Sequence, residues 1–89
     1  MSAPKYSYTT TNNLKHYIAI KRAEKVAESG GTNILIRDIE EELAKYCEVS
    51  RDTILMIKRK VNQPSLAVAL KIAEYFGVPV EEIFKLTDA

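Results

Sequence analysis

The chain has 89 residues, a formal net charge of +1 and a hydrophobic share of 46%. That length suits one small domain with a helical core and a modest stability margin. Its single cysteine excludes an internal disulfide and fits a reducing, cytoplasmic setting. The apolar runs are too short to span a membrane, and the polar N-terminus lacks the pattern of a secretion signal.

Residues 1–11 are polar, with Tyr6, Tyr8 and a threonine run, and are expected to form a flexible arm or a short strand. Residues 12–89 are expected to form the domain itself. Asn12 or Asn13 can cap a first helix that continues to Ser29, where Gly30-Gly31 ends it. Its inner stripe is predicted to be Leu14, Tyr17, Ile18, Ala23 and Val26, with His16 and the basic residues outward. Thr32 to Ile36 is β-branched and apolar. It reads either as the entry to a second helix or as an extended piece that would pair with Tyr6 to Thr10 in a two-strand ribbon.

The segment LAKYCEVSRDTILMIKRK, Leu43 to Lys60, reads as two short helices joined by a tight turn. Leu43, Ala44 and Cys47 share the inner stripe of the first of these. Val49 plugs the turn. Ser50 stands where an N-cap belongs, and Asp52 lies near the positive end of the next helix. Ile54 and Ile57 point inward at helical spacing. Arg51, Asp52, Thr53, Leu55, Met56 and Lys58 to Lys60 are left facing outward or sideways. Such a pair can set its second helix into the major groove of DNA, although exposed charges on amphipathic helices are often merely solvated.

After Pro64, which ends the preceding element, Ser65 can cap a helix with an apolar stripe of Leu66, Leu70, Ile72, Ala73 and Phe76. Gly77 follows as a left-handed C-cap residue, and Pro79 opens a last short helix with Glu81 and Glu82 in its first turn. The charge is unevenly spread. Residues 38–50 are acidic, with Asp38, Glu40, Glu41, Glu42 and Glu48 against Lys45, whereas residues 51–63 are basic, with Arg51, Lys58, Arg59 and Lys60 against Asp52. A near-neutral total with a basic segment suits a specific DNA reader better than a non-specific coating protein.

From Leu43 to Phe84 the chain resembles the phage-repressor and Cro-like (XRE) helix-turn-helix family. The matching residues are Leu43, Ala44, Val49, Ser50, Ile54, Pro64, Ser65, Leu70, Ala73, Gly77, Val78 and Phe84. The resemblance implies an all-α, five-helix, lambda-repressor-like fold carrying a helix-turn-helix. Four departures stand out. Glu48 replaces the glycine usual in the turn, where a left-handed conformation would cost it about 1 kcal/mol. Lys58 and Lys60 replace a glutamate and a glycine at the end of the recognition helix. Glu40 stands where a phosphate-binding glutamine is frequent. Extra residues lie around Glu28 to Leu35. The run VSRDTI also resembles the LacI-type headpiece, but the PS…LKIAEYFGV continuation does not belong to that family.

The family implies sequence-specific binding of double-stranded DNA by a bacterial or phage transcriptional regulator, acting as a homodimer on an inverted repeat. The expected DNA-facing set is Ser50, Arg51, Asp52, Thr53 and Met56, with Lys58, Arg59, Lys60, Asn62 and Arg37 for phosphates. Arg51 can read guanine bidentately. Asp52 can accept from cytosine or orient Arg51, and Met56 can meet a thymine methyl. Val80, Ile83, Phe84 and Leu86 are the candidate dimer interface, with core packing the equal alternative for Ile83. The rival class is a helix-turn-helix protein-interaction module, favoured by Glu40, Glu48 and the acidic second helix. Other chemistry is weaker. Cys47 falls on an inward position as a small hydrophobe, the Glu40-Glu41-Glu42 run reads as a solvated helix face, and Gly30-Gly31 lacks the sequel of a phosphate loop. No metal-ligand spacing is present, so neither an enzyme nor a cofactor is expected.

Overall fold

The computed structural model describes residues 7–89. Residues 1–6, and with them Lys5, Tyr6 and part of the expected arm, lie outside the described residues. The elements in chain order are β1 (Tyr8–Asn12), α1 (Leu14–Glu28), α2 (Ile36–Cys47), α3 (Arg51–Lys58), α4 (Leu66–Phe76), α5 (Val80–Ile83) and β2 (Phe84–Asp88).

Short polar side chains start these helices. The Ser50 hydroxyl accepts from the Thr53 amide at 3.1 Å, and that of Ser65 accepts from the Val68 amide at 3.2 Å. Asn12, rather than Asn13, supplies the side-chain acceptor for α1, taking the Leu14 amide at 3.1 Å. At α2 the cap runs backward, with the Asp38 carboxylate accepting from the Leu35 amide at 2.8 Å.

Like α1, which stops at Gly30-Gly31, the helices α2, α3 and α4 each end at a residue of positive φ. Glu48, Lys60 and Gly77 have φ of 58°, 63° and 69°. In each case their amide and that of the following valine fold back on the last turn: Val49 to Ala44 at 3.0 Å, Val61 to Met56 at 3.0 Å, and Val78 to Ala73 at 3.1 Å. This is the left-handed helix stop in which glycine is favoured. The chain has glycine at only one of the three, so Glu48 and Lys60 hold a conformation that costs an L-residue about 1 kcal/mol.

The core gathers Leu14 and Ile18 of α1, Ile39, Leu43, Ala44 and Cys47 of α2, Ile54 and Ile57 of α3, Ile72 and Ala73 of α4, and Ile83 of α5. Burying each large aliphatic side chain stabilises by about 1.5–3 kcal/mol. Several expectations need correction. Ala23 is exposed, whereas Leu14, Tyr17, Ile18 and Val26 do turn inward, with Lys21, Arg22 and Lys25 half-buried beside them. Leu66 and Leu70 lie outside the core, because α4 is turned to present Ala69, Ile72 and Ala73 inward. Ile83 is fully buried and offers no surface for a partner.

The ribbon exists, but with a different partner. β1 pairs antiparallel with β2, in register from Tyr8↔Asp88 to Asn12↔Phe84. The cause is where the chain leaves the helices. The Asn13 amide donates to the Ile83 carbonyl at 3.1 Å, so the segment before α1 and the segment after α5 emerge side by side. Thr32 to Leu35 forms a connecting loop held to α1 by Arg22, whose Nε donates to the Ile34 carbonyl at 2.6 Å. Among the described residues no helix is long and apolar enough to cross a membrane.

Candidate nucleic-acid interface

The sequence docks α3 on α2 by its apolar face. Ile54 and Ile57, three residues apart, are buried against Ile39, Leu43, Ala44 and Cys47, and Val49 packs against the same cluster. Small Ala44 lets the helices approach closely. The opposite side of α3 must then face away from the domain. Asp52, Thr53 and Arg59 are exposed there, followed by Lys60 and Asn62 in the loop, while Leu55 and Met56 are half-buried at the flanks. Thr53 also touches the Ser50 hydroxyl at 2.9 Å, which joins Ser50 to the exposed start of the helix.

Arg51 and Lys58 behave differently. They are seven residues apart, close to two helical turns, and so share one side of α3. That side meets Glu40, which is 1% exposed. Arg51 donates from Nε at 3.2 Å and from Nη2 at 3.1 Å to Glu40 Oε1, and the Lys58 ammonium pairs with Glu40 Oε2. One carboxylate from α2 thus grips both ends of α3. Burial pushes the Glu40 carboxyl up, but the hydrogen bonds and charges of Lys58 and Arg51 outweigh it and hold it below its ordinary value. The cluster carries two cations and one anion, leaving one positive charge at the edge of the surface.

This corrects the reading of Glu40-Glu41-Glu42 as a solvated face. Position 40 lies three, four and seven residues before Leu43, Ala44 and Cys47, on the stripe that faces α3. Its neighbours point elsewhere. Glu41 pairs with exposed Arg37 at 3.0 Å, one helical turn back. Glu42 lies on the far side, accepting from the Tyr75 hydroxyl at 2.6 Å and pairing with Lys25 at 3.1 Å. The carboxylate that orients Arg51 is therefore Glu40 and not Asp52. Lys58 is turned back onto the same group, whereas Arg59, Lys60 and Asn62 stay exposed. Sequence reasoning missed Glu40. The available signal was a carboxylate on an apolar stripe opposite two basic residues on the same side of the next helix.

Asn12 was also undervalued. Besides capping α1 it donates from Nδ2 to the Ile57 carbonyl at 3.0 Å, and Gln63 bonds to the Thr9 hydroxyl, so the ribbon braces the end of α3 and the loop after it. Cys47 is buried, which raises its thiol pKa and suits a packing role, and His16 is exposed. Val80 and Phe84 are half-buried beside a cleft of about 310 Å³ that also involves Thr10, Gln63, Leu66 and Ala69. Leu66 at 74%, Leu86 at 73% and Leu70 at 49% are the conspicuous exposed leucines of this part of the chain.

A model of the helix-turn-helix family matches residues 37–83. The chain is similar to an uncharacterized HTH-type transcriptional regulator of Methanocaldococcus jannaschii, 49% identical over 49 residues covering 55% of this chain and 74% of that protein. Two uncharacterized HTH-type transcriptional regulators of Archaeoglobus fulgidus are also similar. One is 44% identical over 45 residues, 51% of this chain and 63% of the relative. The other is 41% identical over 49 residues, 55% of this chain and 70% of the relative. These relatives are archaeal, where the motifs suggested a bacterial or phage source.

Proposed function

The chain belongs to the Cro-like (XRE) helix-turn-helix family, and on that footing we propose that it reads a specific double-stranded DNA sequence with α3. A DNA-binding transcriptional regulator is the general role that the family and the archaeal relatives support. The observation that carries the finer reading is the arrangement of α3. Its apolar face is locked to α2 by Ile54 and Ile57, while Asp52 and Thr53 near its start and Arg59, Lys60 and Asn62 at and beyond its end are exposed. A helix held in that way can enter the major groove as a rigid unit.

In this reading Arg51, Asp52, Thr53 and Met56 meet base edges, and Ser50 holds the start of the helix. Arg59, Lys60, Asn62 and Arg37 meet phosphates, and Lys58 adds charge from behind. Replacing Arg51 by Ala is expected to cost about 1–3 kcal/mol on the preferred duplex and to relax one base pair. Replacing Lys60 by Ala is expected to weaken binding to every duplex and to lower the salt slope by about one. Equal losses for both variants on preferred and shuffled DNA would overturn the assignment.

We also propose a homodimer on an inverted repeat, working in the cytoplasm where DNA is met. Val80, Phe84 and Leu66, which line the cleft, support it together with the exposed Leu70 and Leu86, while Ile83 is withdrawn into the core. Sedimentation on the preferred duplex checks it: two chains per duplex are expected, and strict one-to-one binding would refute it. The rival protein-interaction reading loses a support, since Glu40 is buried and adds nothing to an acidic surface.

A further inference from the structure

We propose that Glu40 is the positioning residue that makes Arg51 selective for its base pair. The inference rests on the DNA-reading role of α3 and deepens it. A free arginine side chain has many rotamers, and fixing one on binding costs conformational entropy. Here the cost is met in advance. Glu40 is 1% exposed, so its carboxylate sits fixed in the α2–α3 joint. It takes the Nε and Nη2 edge of the Arg51 guanidinium through one oxygen. A guanidinium is a planar fork with five N–H donors, and engaging one edge leaves the Nη1–Nη2 edge for a second planar acceptor pair. Guanine presents such a pair, O6 and N7, in the major groove.

Lys58 completes the device. Its ammonium holds the other oxygen of Glu40, which prevents the carboxylate from swinging after Arg51. The Arg51 side chain retains 36% exposure and that of Lys58 only 17%, so Arg51 is the member of the trio that can reach outward. The buried negative charge has a second consequence. It offsets part of the positive charge that would otherwise attract any phosphate, which lowers affinity for random DNA while the preferred site keeps its bidentate contact.

These two effects have opposite signs on removal of the charge, and that separates positioning from a merely structural role. The test begins with a duplex selected by the wild-type protein from a randomised pool, and a shuffled duplex of the same composition. Anisotropy titrations then compare wild type with Glu40→Gln. The expected result is a roughly tenfold fall in the preferred-over-shuffled affinity ratio. Binding to the shuffled duplex is expected to stay level or tighten, and the lost preference should fall on the base pair that Arg51→Ala also relaxes. Adding Arg51→Ala to Glu40→Gln should then bring no further loss there. An unchanged ratio, or a loss spread evenly over all positions, overturns the proposal. Should Glu40→Gln not fold, Glu40→Asp keeps a charge for Lys58 but draws it back from Arg51 by one methylene. The same localised loss is expected of it, and an unchanged ratio again overturns the idea. If the wild-type protein itself shows no preference for its selected duplex, the DNA-reading role has failed, and this inference falls with it. Normal wild-type preference with an unaltered Glu40 variant refutes this inference alone.

Discussion

Glu40 and Glu42 stand two residues apart on α2, yet they belong to different regions with different consequences. Glu40 is closed into the α2–α3 joint, between two cations of the helix that faces outward. Glu42 lies on the back of the domain, in a seam where α1, α2 and α4 meet, accepting from Tyr75 and pairing with Lys25. Two residues turn a helix by about 200°, which alone puts the two carboxylates on opposite sides. The seam also holds aromatic contacts, with Tyr75 and Phe76 rings 4.9 Å apart and Tyr46 and Tyr75 rings 5.5 Å apart. The polar partners of Glu42 come from α1 and α4, and not from α3. On the proposed reading of α3, the joint couples stability to recognition, and the seam is expected to serve stability alone.

Truncating each carboxylate should separate the regions most strongly. Breaking a buried ion pair typically costs about 3–5 kcal/mol. Arg51 and Lys58 keep partial access to water, at 36% and 17% exposure. That screening reduces the expected cost of Glu40→Ala to about 1–3 kcal/mol. Glu42→Ala is expected to cost about 1 kcal/mol, the worth of one hydrogen bond and an exposed ion pair. Urea denaturation measures both. A DNA titration of folded protein should show Glu42→Ala binding as the wild type does, and a selectivity change for that variant would erase the distinction between the two regions.

Acid should act on both regions with the same sign. Burial raises the Glu40 carboxyl, but Lys58 and Arg51 together lower it further. The Tyr75 hydroxyl, opposed by burial and helped by Lys25, lowers that of Glu42. A carboxyl held below its unfolded value of 4.5 contributes stability that is complete above that pH and lost as pH falls through its folded pKa. Urea midpoints measured from neutral pH down to pH 3 should therefore fall on the acid side, and Glu40→Gln and Glu42→Gln should each flatten part of that fall. A variant with the full wild-type acid limb would show that its carboxylate is not held by its partners.

The helix stops offer the smallest effect. Glu48→Gly and Lys60→Gly should each stabilise by up to about 1 kcal/mol, since glycine adopts positive φ without a Cβ clash. Gly77→Ala should destabilise by a similar amount. Chemical denaturation with an unchanged m-value reads the result, and a lowered midpoint for Glu48→Gly would mean that unfolded-state entropy outweighs the relieved strain.

What could be read in the chain was what local physics decides. Ser50, Ser65 and Gly77 punctuate helices by side-chain and backbone chemistry within a few residues, and Ile54 with Ile57 marks an inner face by spacing alone. The turn at Glu48 was legible because Val49 and Ser50 require a sharp reversal whatever residue precedes them. Glu40 was legible only as a carboxylate on the inner stripe of α2, since its pairing depends on cations 11 and 18 residues later. Lys60 stood at a position where the family has glycine, but nothing nearby announced that it too would keep positive φ. The ribbon joins residues as far apart as Tyr8 and Asp88, a pairing for which neither strand carries a local signal. The exposure of Leu66 and Leu70 reflects how α4 is rotated, and the small residues Ala69 and Ala73 fix that rotation only once α2 is in place.

Whether α3 reads a DNA sequence is decided by a binding titration. Wild-type protein is titrated at two salt concentrations against the duplex it selects from a randomised pool and against a shuffled duplex. The selected duplex is expected to bind at least about a thousandfold more tightly at physiological salt. Affinity for both duplexes is expected to fall with added salt, as phosphate contacts require. Equal affinity for the two duplexes, or no measurable binding to either at low salt, would contradict the proposed role of α3.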